Sequence, residues 1–524
     1  MNKNTPSAGT AAPPGRRASG LSAKGLGAGT VGLAGATVIG VSAIAPAYTL
    51  TGALGPAVAE VGAHLPGILL IGFIPMLLVA FGYRELNRAM PDSGTSFTWA
   101  ARAFGPWVGW MAGWGLCAAT IIVLSNLAGI AVDFFYLLLS QLTGNADLAS
   151  LAANPLVNVA TCLAFMLAAT WVSCRDMQTT QKLQYWLVGF QILVMVGFGV
   201  AALVRLADGS AFDPTPIQAE WFNPFGAGSA SAVVAGLSLT LFMFWGWDVT
   251  LTMSEETKGS SSTPGRAATL TMVVIVGIYL LVSVALLAFA GTGSAGVGLG
   301  NPEIQGNVFF ALAGPVMGPL AVLVSIAVLS SSASSLQSTF VSPARTLLAM
   351  GHYGALPARF ASVSKRFSTP VFATVVSSLI ASTFYAVMRL VSEDVLWDTI
   401  TALGVMVCFY YGLTAYSCVW YFRKQWTASI RSFFFTLLFP LTGAVVLTIL
   451  FFTTLIDSMD PAYGSGSSVF GVGLVFILAV VVLLSGAVVM FVQARRRPDF
   501  FHGLILPRGA AGAARAQEEE LEYV

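Results

Sequence analysis

Apolar stretches long enough to cross a bilayer recur along the whole chain, separated by short polar segments. A crossing of ~30 Å needs about 20 mainly apolar residues. Twelve stretches meet that requirement: residues 26–61, 67–83, 106–139, 155–172, 183–206, 229–253, 267–291, 314–349, 371–390, 395–422, 432–456 and 469–492. Those of more than thirty residues exceed one perpendicular crossing, so tilt, a break or extramembrane turns must absorb the excess. The pattern predicts an all-α polytopic membrane protein with twelve transmembrane helices.

Two stretches are interrupted from within. The sixth runs apolar into Phe244-Trp245-Gly246-Trp247-Asp248. Glycine lowers helix propensity by about 1 kcal/mol relative to alanine. A carboxylate inside an apolar span costs roughly 2.5–3.5 kcal/mol, so it faces a cavity, a partner or a ligand. The first is rich in glycine and leads to Ser42-Ala43-Ile44-Ala45-Pro46-Ala47. Proline removes one helix hydrogen bond and clashes with the preceding turn, so unwinding is expected just before Pro46. Paired interruptions five spans apart point to an inverted repeat with a substrate site at the breaks. Close helix packing is the alternative use of these small residues.

Composition agrees: 56% of the 524 residues are hydrophobic and 9% charged, against about 25% charged in soluble domains. The net charge of +2 says little; its distribution says more. With the N-terminus placed in the cytoplasm, all but Arg205 and Arg389 of the 25 lysines and arginines fall on the cytoplasmic side, as the positive-inside rule requires. One missed or extra span would invert everything after it. Residues 1–25 are expected to form a disordered basic cytoplasmic tail, and residues 493–524, with Arg495-Arg496-Arg497 and Glu518-Glu519-Glu520, a second cytoplasmic tail. Ala43-Ile44-Ala45 has the form of a signal cleavage site, but the apolar run before it is too long for one. The five cysteines form no CxxC, so no disulfide framework is expected. The three histidines lie apart, and there is no HExxH, P-loop or GxSxG. No enzyme activity, cofactor, metal or nucleic-acid partner is expected.

Three segments carry a family likeness. Tyr83-Arg84-Glu85-Leu86 leads through Pro91 and Gly94 to Phe97 and Trp99; Glu255-Glu256-Thr257-Lys258 ends the sixth stretch; Ser342-Pro343-Ala344-Arg345 leads through Gly351 to Leu356-Pro357. In this order and spacing they resemble the amino acid–polyamine–organocation superfamily of permeases. The resemblance implies a leucine-transporter fold: inverted five-helix repeats at residues 26–206 and 229–422, two further helices at 432–492, and a small solute held at the broken first and sixth helices. It also implies a secondary-active amino acid permease of the cell membrane, its termini cytoplasmic, coupled to H+, Na+ or exchange. An importer of polyamines or other amines and a non-transporting membrane sensor are the rival readings.

The candidate substrate residues are therefore Ser42, Ala43, Ile44, Ala45, Pro46, Ala47, Phe244, Trp245, Gly246, Trp247 and Asp248, with Asn126 and Tyr410. Half-helix N-termini offer N–H groups to a carboxylate, and unwound carbonyls suit an ammonium. Ala45-Pro46-Ala47 departs from the glycine-rich pattern usual in the family at this place. Trp245 and Trp247 are two residues apart, so on a regular helix both cannot face one ligand. Asp248 is either a counter-ion for an amine or a structural partner near the break. Tyr410 and Tyr411 are read as an outer aromatic lid or as core. Ser331, Ser334 and Ser335, with Gln191 near the place where proton-coupled relatives carry a lysine, are the candidate ion-coupling groups, with small-residue packing as the alternative. Glu255 and Arg345, both at cytoplasmic helix ends, are the expected gate pair.

Overall fold

The computed structural model describes residues 22–509 apart from 23 and 392–394. The expected basic tail is described only at Ser22 and from Lys24 onward, and the acidic run at 518–520 lies outside the described residues. Helices dominate. In a bilayer every main-chain polar group must be satisfied within the protein, and the α-helix does this locally.

The first stretch forms α1 (Leu33–Ile44) and α2 (Pro46–Val61), followed by α3 (Leu65–Ala89), the short α4 (Ser96–Phe104) and the long α5 (Pro106–Thr143). A one-turn α6 (Asp147–Ser150) leads to α7 (Pro155–Ser173) and α8 (Met177–Ala207). Side chains fix these starts: Asn154 accepts from the N–H groups of Leu156 and Val157, and Asp176 from that of Thr179, as N-caps do. The second half holds α9 (Ala230–Met243), α10 (Val249–Thr252), α11 (Thr263–Ala290), α12 (Val308–Met317), α13 (Val322–Thr339) and α14 (Val341–His352). Next come α15 (Val371–Val391) and α16 (Val395–Tyr421). A turn α17 (Ile430–Ser432) enters a π-helical segment, Phe433–Leu438, that continues as α18 (Phe439–Asp457); α19 (Leu474–Arg496) and α20 (Pro498–Phe501) end the described chain.

Among the described residues, ten helical stretches are long and apolar enough to cross a membrane, and Ala230–Met243 is a shorter apolar helix. The first of the ten, Leu33–Ala89, has 57 residues, about 85 Å at the α-helical rise, too long for one crossing. Boundaries differ from the hydropathy pattern where local chemistry intervenes. Residues 26–32 are not helical, and Val31 bridges Thr257 as a strand would. The stretch expected at 314–349 is divided: Gly314 lies in α12, and the helix that follows starts at Val322. The last helix begins at Leu474 because Ser468–Val469 and Val472–Gly473 pair as a small hairpin, β1 and β2, with Phe470 and Gly471 at positive φ.

The core gathers α1, α2 and α9 with α13 and α16; α5 lies against both α13 and α16, and α8 and α11 against α1. Close approach depends on small residues. A Cβ on Gly72 of α3 would fall 1.9 Å from the Thr240 hydroxyl of α9. The rim is apolar and exposed, as at Leu167, Trp186, Leu193 and Leu484, the surface lipid would cover.

Candidate functional site

Both interruptions are breaks in the main chain. At the first, Ala45 takes the left-handed conformation (φ 55°, ψ 66°) and Pro46 opens α2. Pro46 brings no N–H to the Ser42 carbonyl, which instead accepts from Ala45 at 3.1 Å. The groups freed here go to side chains. The Ser335 hydroxyl of α13 donates to the Ala43 carbonyl (3.1 Å), Thr49 donates to the Ile44 carbonyl (2.6 Å), and the Tyr48 N–H donates to Ser331 (3.2 Å). Ser42 pairs with Ser338 (3.0 Å). Ser331 and Ser335, candidate ion-coupling groups from the sequence, thus cap the two sides of the first break.

At the second break α9 ends at Met243, residues 244–248 turn, and α10 runs for a single turn. Gly246 has φ 108°, a conformation L side chains rarely adopt, and a Cβ there would lie 3.1 Å from the Ala43 carbonyl carbon and oxygen. The two breaks therefore touch main chain to main chain. Asp248 is 2% exposed. It accepts from the phenols of α16, Tyr411 at 2.9 Å and Tyr410 at 3.3 Å. Trp245 donates its indole N–H to Tyr410 at 2.6 Å, and the Gly246 N–H reaches the Tyr411 oxygen at 3.4 Å. Trp247 lies 5.0 Å from the rings of Tyr411 and Tyr83, tilted to the first and edge-on to the second. Both tryptophans are thus committed to neighbouring side chains. Tyr410, read from the sequence as a lid or core, is wholly buried beside the carboxylate. Two donors in this region have no partner, the Trp247 indole N–H and the Tyr48 hydroxyl.

A cavity of about 270 Å³ opens between α2, α9 and α16 and is lined by Glu60, Ser238, Phe242, Gln305 and Ile400 among others. Phe242, one residue before Met243, meets Tyr48, just past Pro46, edge-on at 6.2 Å. The opposite end of the bundle is closed by ion pairs. Arg345 grips Glu256 through two contacts, 2.8 and 3.0 Å. Glu255, the expected partner of Arg345, instead accepts from Lys24 (2.6 Å) and from the Ser93 N–H (2.9 Å). The expected Glu255–Arg345 pair is thereby corrected to Glu256–Arg345. Ser254–Glu256 is a 3₁₀ turn, where successive side chains point about 120° apart, so the two glutamates reach different partners.

Lys24 also binds Asp92 at 2.8 Å, and Tyr353 donates to the same carboxylate at 2.6 Å. Burial pulls the Lys24 ammonium down, but Asp92, Tyr353 and Glu255 outweigh it and hold its pKa well above the usual lysine value. Burial pushes Asp92 up, and Lys24 with further hydrogen bonds more than reverses this, holding it at about 2. Thr30 and Val31 donate main-chain N–H groups to the Glu256 carbonyl, so the segment before α1 is stitched to the end of the sixth stretch.

Asn126 stands apart from this arrangement: its side-chain oxygen accepts from Thr399 of α16 at 2.9 Å. Gln191 donates to Ser334 at 3.3 Å, and Gln184 contacts Gln337 and the Ser334 carbonyl. Tyr83, Tyr48, Phe242, Lys24, Asp92 and Glu256 were not among the candidates, and Tyr411, read with Tyr410 as a lid or core, is the phenol nearer the Asp248 carboxylate. Lys24 sits in a stretch whose composition resembles a tail. Tyr83 and Asp92 lie in the segment that carries the family likeness, which was the available signal.

Comparison with known proteins completes the picture. A family model described as amino acid permease matches residues 30–481. A branched-chain amino acid permease, BcaP, of Lactococcus lactis subsp. cremoris (strain MG1363) is 26% identical over 166 residues, 30% of this chain and 34% of that protein. The match thus spans about a third of the relative's length. The crystal structure of MhsT in complex with L-phenylalanine superposes with a TM-score of 0.57 at 16% identity, over 80% of this chain and 98% of that one. The fold is shared with that structure.

Proposed function

The chain belongs to the amino acid permease family, and from that premise we propose that it is a secondary-active amino acid permease working by alternating access. Substrate is held at the breaks between α1 and α2 and between α9 and α10. The observation that carries the reading is the contact of Gly246 with the Ala43 and Ile44 main chain, which brings two interrupted helices together. The N-terminus of α2 offers N–H groups and a positive dipole end to a carboxylate, and the carbonyls ending α1 suit an ammonium.

In this reading the chain crosses the membrane twelve times. It forms inverted repeats at 26–206 and 229–422 followed by two further helices, and both ends lie in the cytoplasm of a bacterial-type cell membrane. The basic residues support that orientation. The cavity beside Phe242 is the outer approach, and the Lys24 and Arg345 ion pairs are the inner closure. MhsT holds L-phenylalanine in its crystal structure, and BcaP is a branched-chain amino acid permease. Both support a neutral amino acid with an apolar side chain as the substrate here. So do the rings of Tyr48, Phe242 and Trp245 around the breaks. Asp248 is already satisfied by two phenols, which favours a zwitterion held by main chain over an amine needing a counter-ion. Ser334 and Gln191, with Ser331 and Ser335, remain the candidate coupling groups for H+ or Na+; uptake under each gradient alone separates the two.

Counterflow in reconstituted vesicles is the test. Saturable exchange of leucine or phenylalanine is expected, untouched by excess putrescine. Exchange of putrescine but of no amino acid would establish the amine importer, and no exchange of either the non-transporting sensor. Asp248→Asn is expected to keep measurable amino acid exchange, since an amide oxygen still accepts from Tyr411.

A further inference from the structure

At the end of α3 three arginines share one carboxylate. Glu85 is buried, and Arg431 reaches it at 2.6 Å, Arg84 at 3.5 Å and Arg88 at 3.7 Å. The Arg84 Nε makes no hydrogen bond. Its guanidinium is clamped between the rings of Phe81 (5.0 Å) and Phe435 (4.8 Å), and the second ring also faces Arg431 at 5.5 Å. The side chains of Arg88 and Arg431 are half exposed, at 50% and 51%. The patch therefore carries two positive charges beyond what Glu85 neutralises.

Its flank is apolar. Phe433, Phe434 and Leu438 are exposed beside it, on the π-helical segment that opens α18. The wider π turn fits one extra residue into the helix, and such segments recur at functional sites. Here it turns Phe435 inward onto Arg84 while Phe433 and Phe434 stay outside. Exposed guanidiniums above exposed rings, in a membrane protein, match a phosphodiester above an acyl chain. Basic pockets between helices at a membrane face bind anionic headgroups, and arginine suits phosphate because its fork donates two parallel hydrogen bonds.

We propose that the Arg84–Arg88–Arg431 cluster, with Phe433 and Phe434 beneath it, is a binding site for an anionic phospholipid. The lipid phosphate sits on the half-exposed guanidiniums of Arg88 and Arg431, and its acyl chain runs along the exposed rings. Charge complementarity selects the occupant: a zwitterionic headgroup would bring its own cation to a site already holding two in excess.

Native mass spectrometry of the purified full-length protein tests this, with phosphatidylglycerol and phosphatidylcholine offered in equal amounts. The wild-type protein is expected to retain phosphatidylglycerol preferentially. Removing both exposed arginines in R88Q/R431Q should weaken that retention about 30-fold, taking each arginine's usual worth near a membrane surface. The R88K/R431K variant should restore most of the preference, because it returns the charge. Equal retention of the two lipids by the wild type would overturn the site, as would an unchanged preference in R88Q/R431Q. Failure of a lysine variant that melts at the wild-type temperature to restore any preference would overturn selection of the lipid by charge. Displacement of the lipid by millimolar inorganic phosphate would mean that a free anion is the ligand. If the glutamine variant altered only the oligomeric state, the patch would be a contact between copies of the chain.

Discussion

Ala45 and Gly246 both sit at positive φ, and the reasons differ. An L-residue in the left-handed region costs roughly 1–2 kcal/mol, while glycine loses about 0.5–1 kcal/mol through greater freedom when unfolded. Ala45→Gly should therefore be neutral to slightly stabilising, with the melting temperature in detergent unchanged or raised and transport retained. Gly246→Ala meets two obstacles: a φ of 108° and a Cβ only 3.1 Å from the Ala43 carbonyl. It should cost about 1–3 kcal/mol and weaken substrate binding at least tenfold, read as the half-saturation concentration in counterflow; wild-type affinity would count against the breaks as the site. Gly246 and Pro46 were legible as breaks because their chemistry is local. The partners of Asp248 were not, since Tyr410 and Tyr411 lie more than 160 residues further along the chain.

Among elements, α13 is what fastens the first break. Ser335 bonds the Ala43 carbonyl and Ser331 the Tyr48 N–H, so a serine-rich helix supplies the hydrogen bonds that the proline interruption removed. A buried carbonyl left without its donor costs about 1–3 kcal/mol. Ser335→Ala should lower stability by that amount and speed amide exchange at residues 41–48 while leaving α18 and α19 unaffected. Exchange unchanged near Ala43 would mean another donor takes over. The serine run was visible in the sequence, but its face toward α1 was not, because seven serines along one helix do not announce which of them meets a broken neighbour. The helix boundaries show the same division: hydropathy placed the apolar stretches, and caps such as Asn154 or the β1–β2 hairpin set where helices begin.

For the whole molecule the ion-paired end of the bundle, at Lys24 and Arg345, is the feature with the largest consequence. Lys24 is ion-paired to both Asp92 and Glu255 inside the protein, and removing one partner of a buried ion pair costs about 3–5 kcal/mol. Lys24→Met should open this end, seen as faster thiol labelling of an Ala28→Cys reporter; equal labelling rates would deny Lys24 a closing role. The closure should also be indifferent to pH over the ordinary range. Asp92 is held at about 2, below an unfolded value near 3.9, so its contribution is lost only as pH falls toward 2. Lys24 is raised, so its contribution is complete below about pH 10 and is lost only as pH rises through that higher value. Because only the thiolate reacts, the reporter is read against a small free thiol at each pH; that ratio should be flat from pH 5 to 9, and a step inside that window would assign the closure to another group.

The sequence by itself determined the membrane class, the family signature and the two sites of helix failure. Each is written in properties a residue carries wherever it goes: apolarity, the missing N–H of proline, the missing Cβ of glycine. The tertiary structure decided which glutamate Arg345 takes, that Lys24 belongs to the bundle and not to a tail, that Asp248 is answered by phenols, and that three arginines gather on Glu85. Those outcomes depend on helices distant in sequence arriving side by side, and a pairing across hundreds of residues leaves no local trace in the chain.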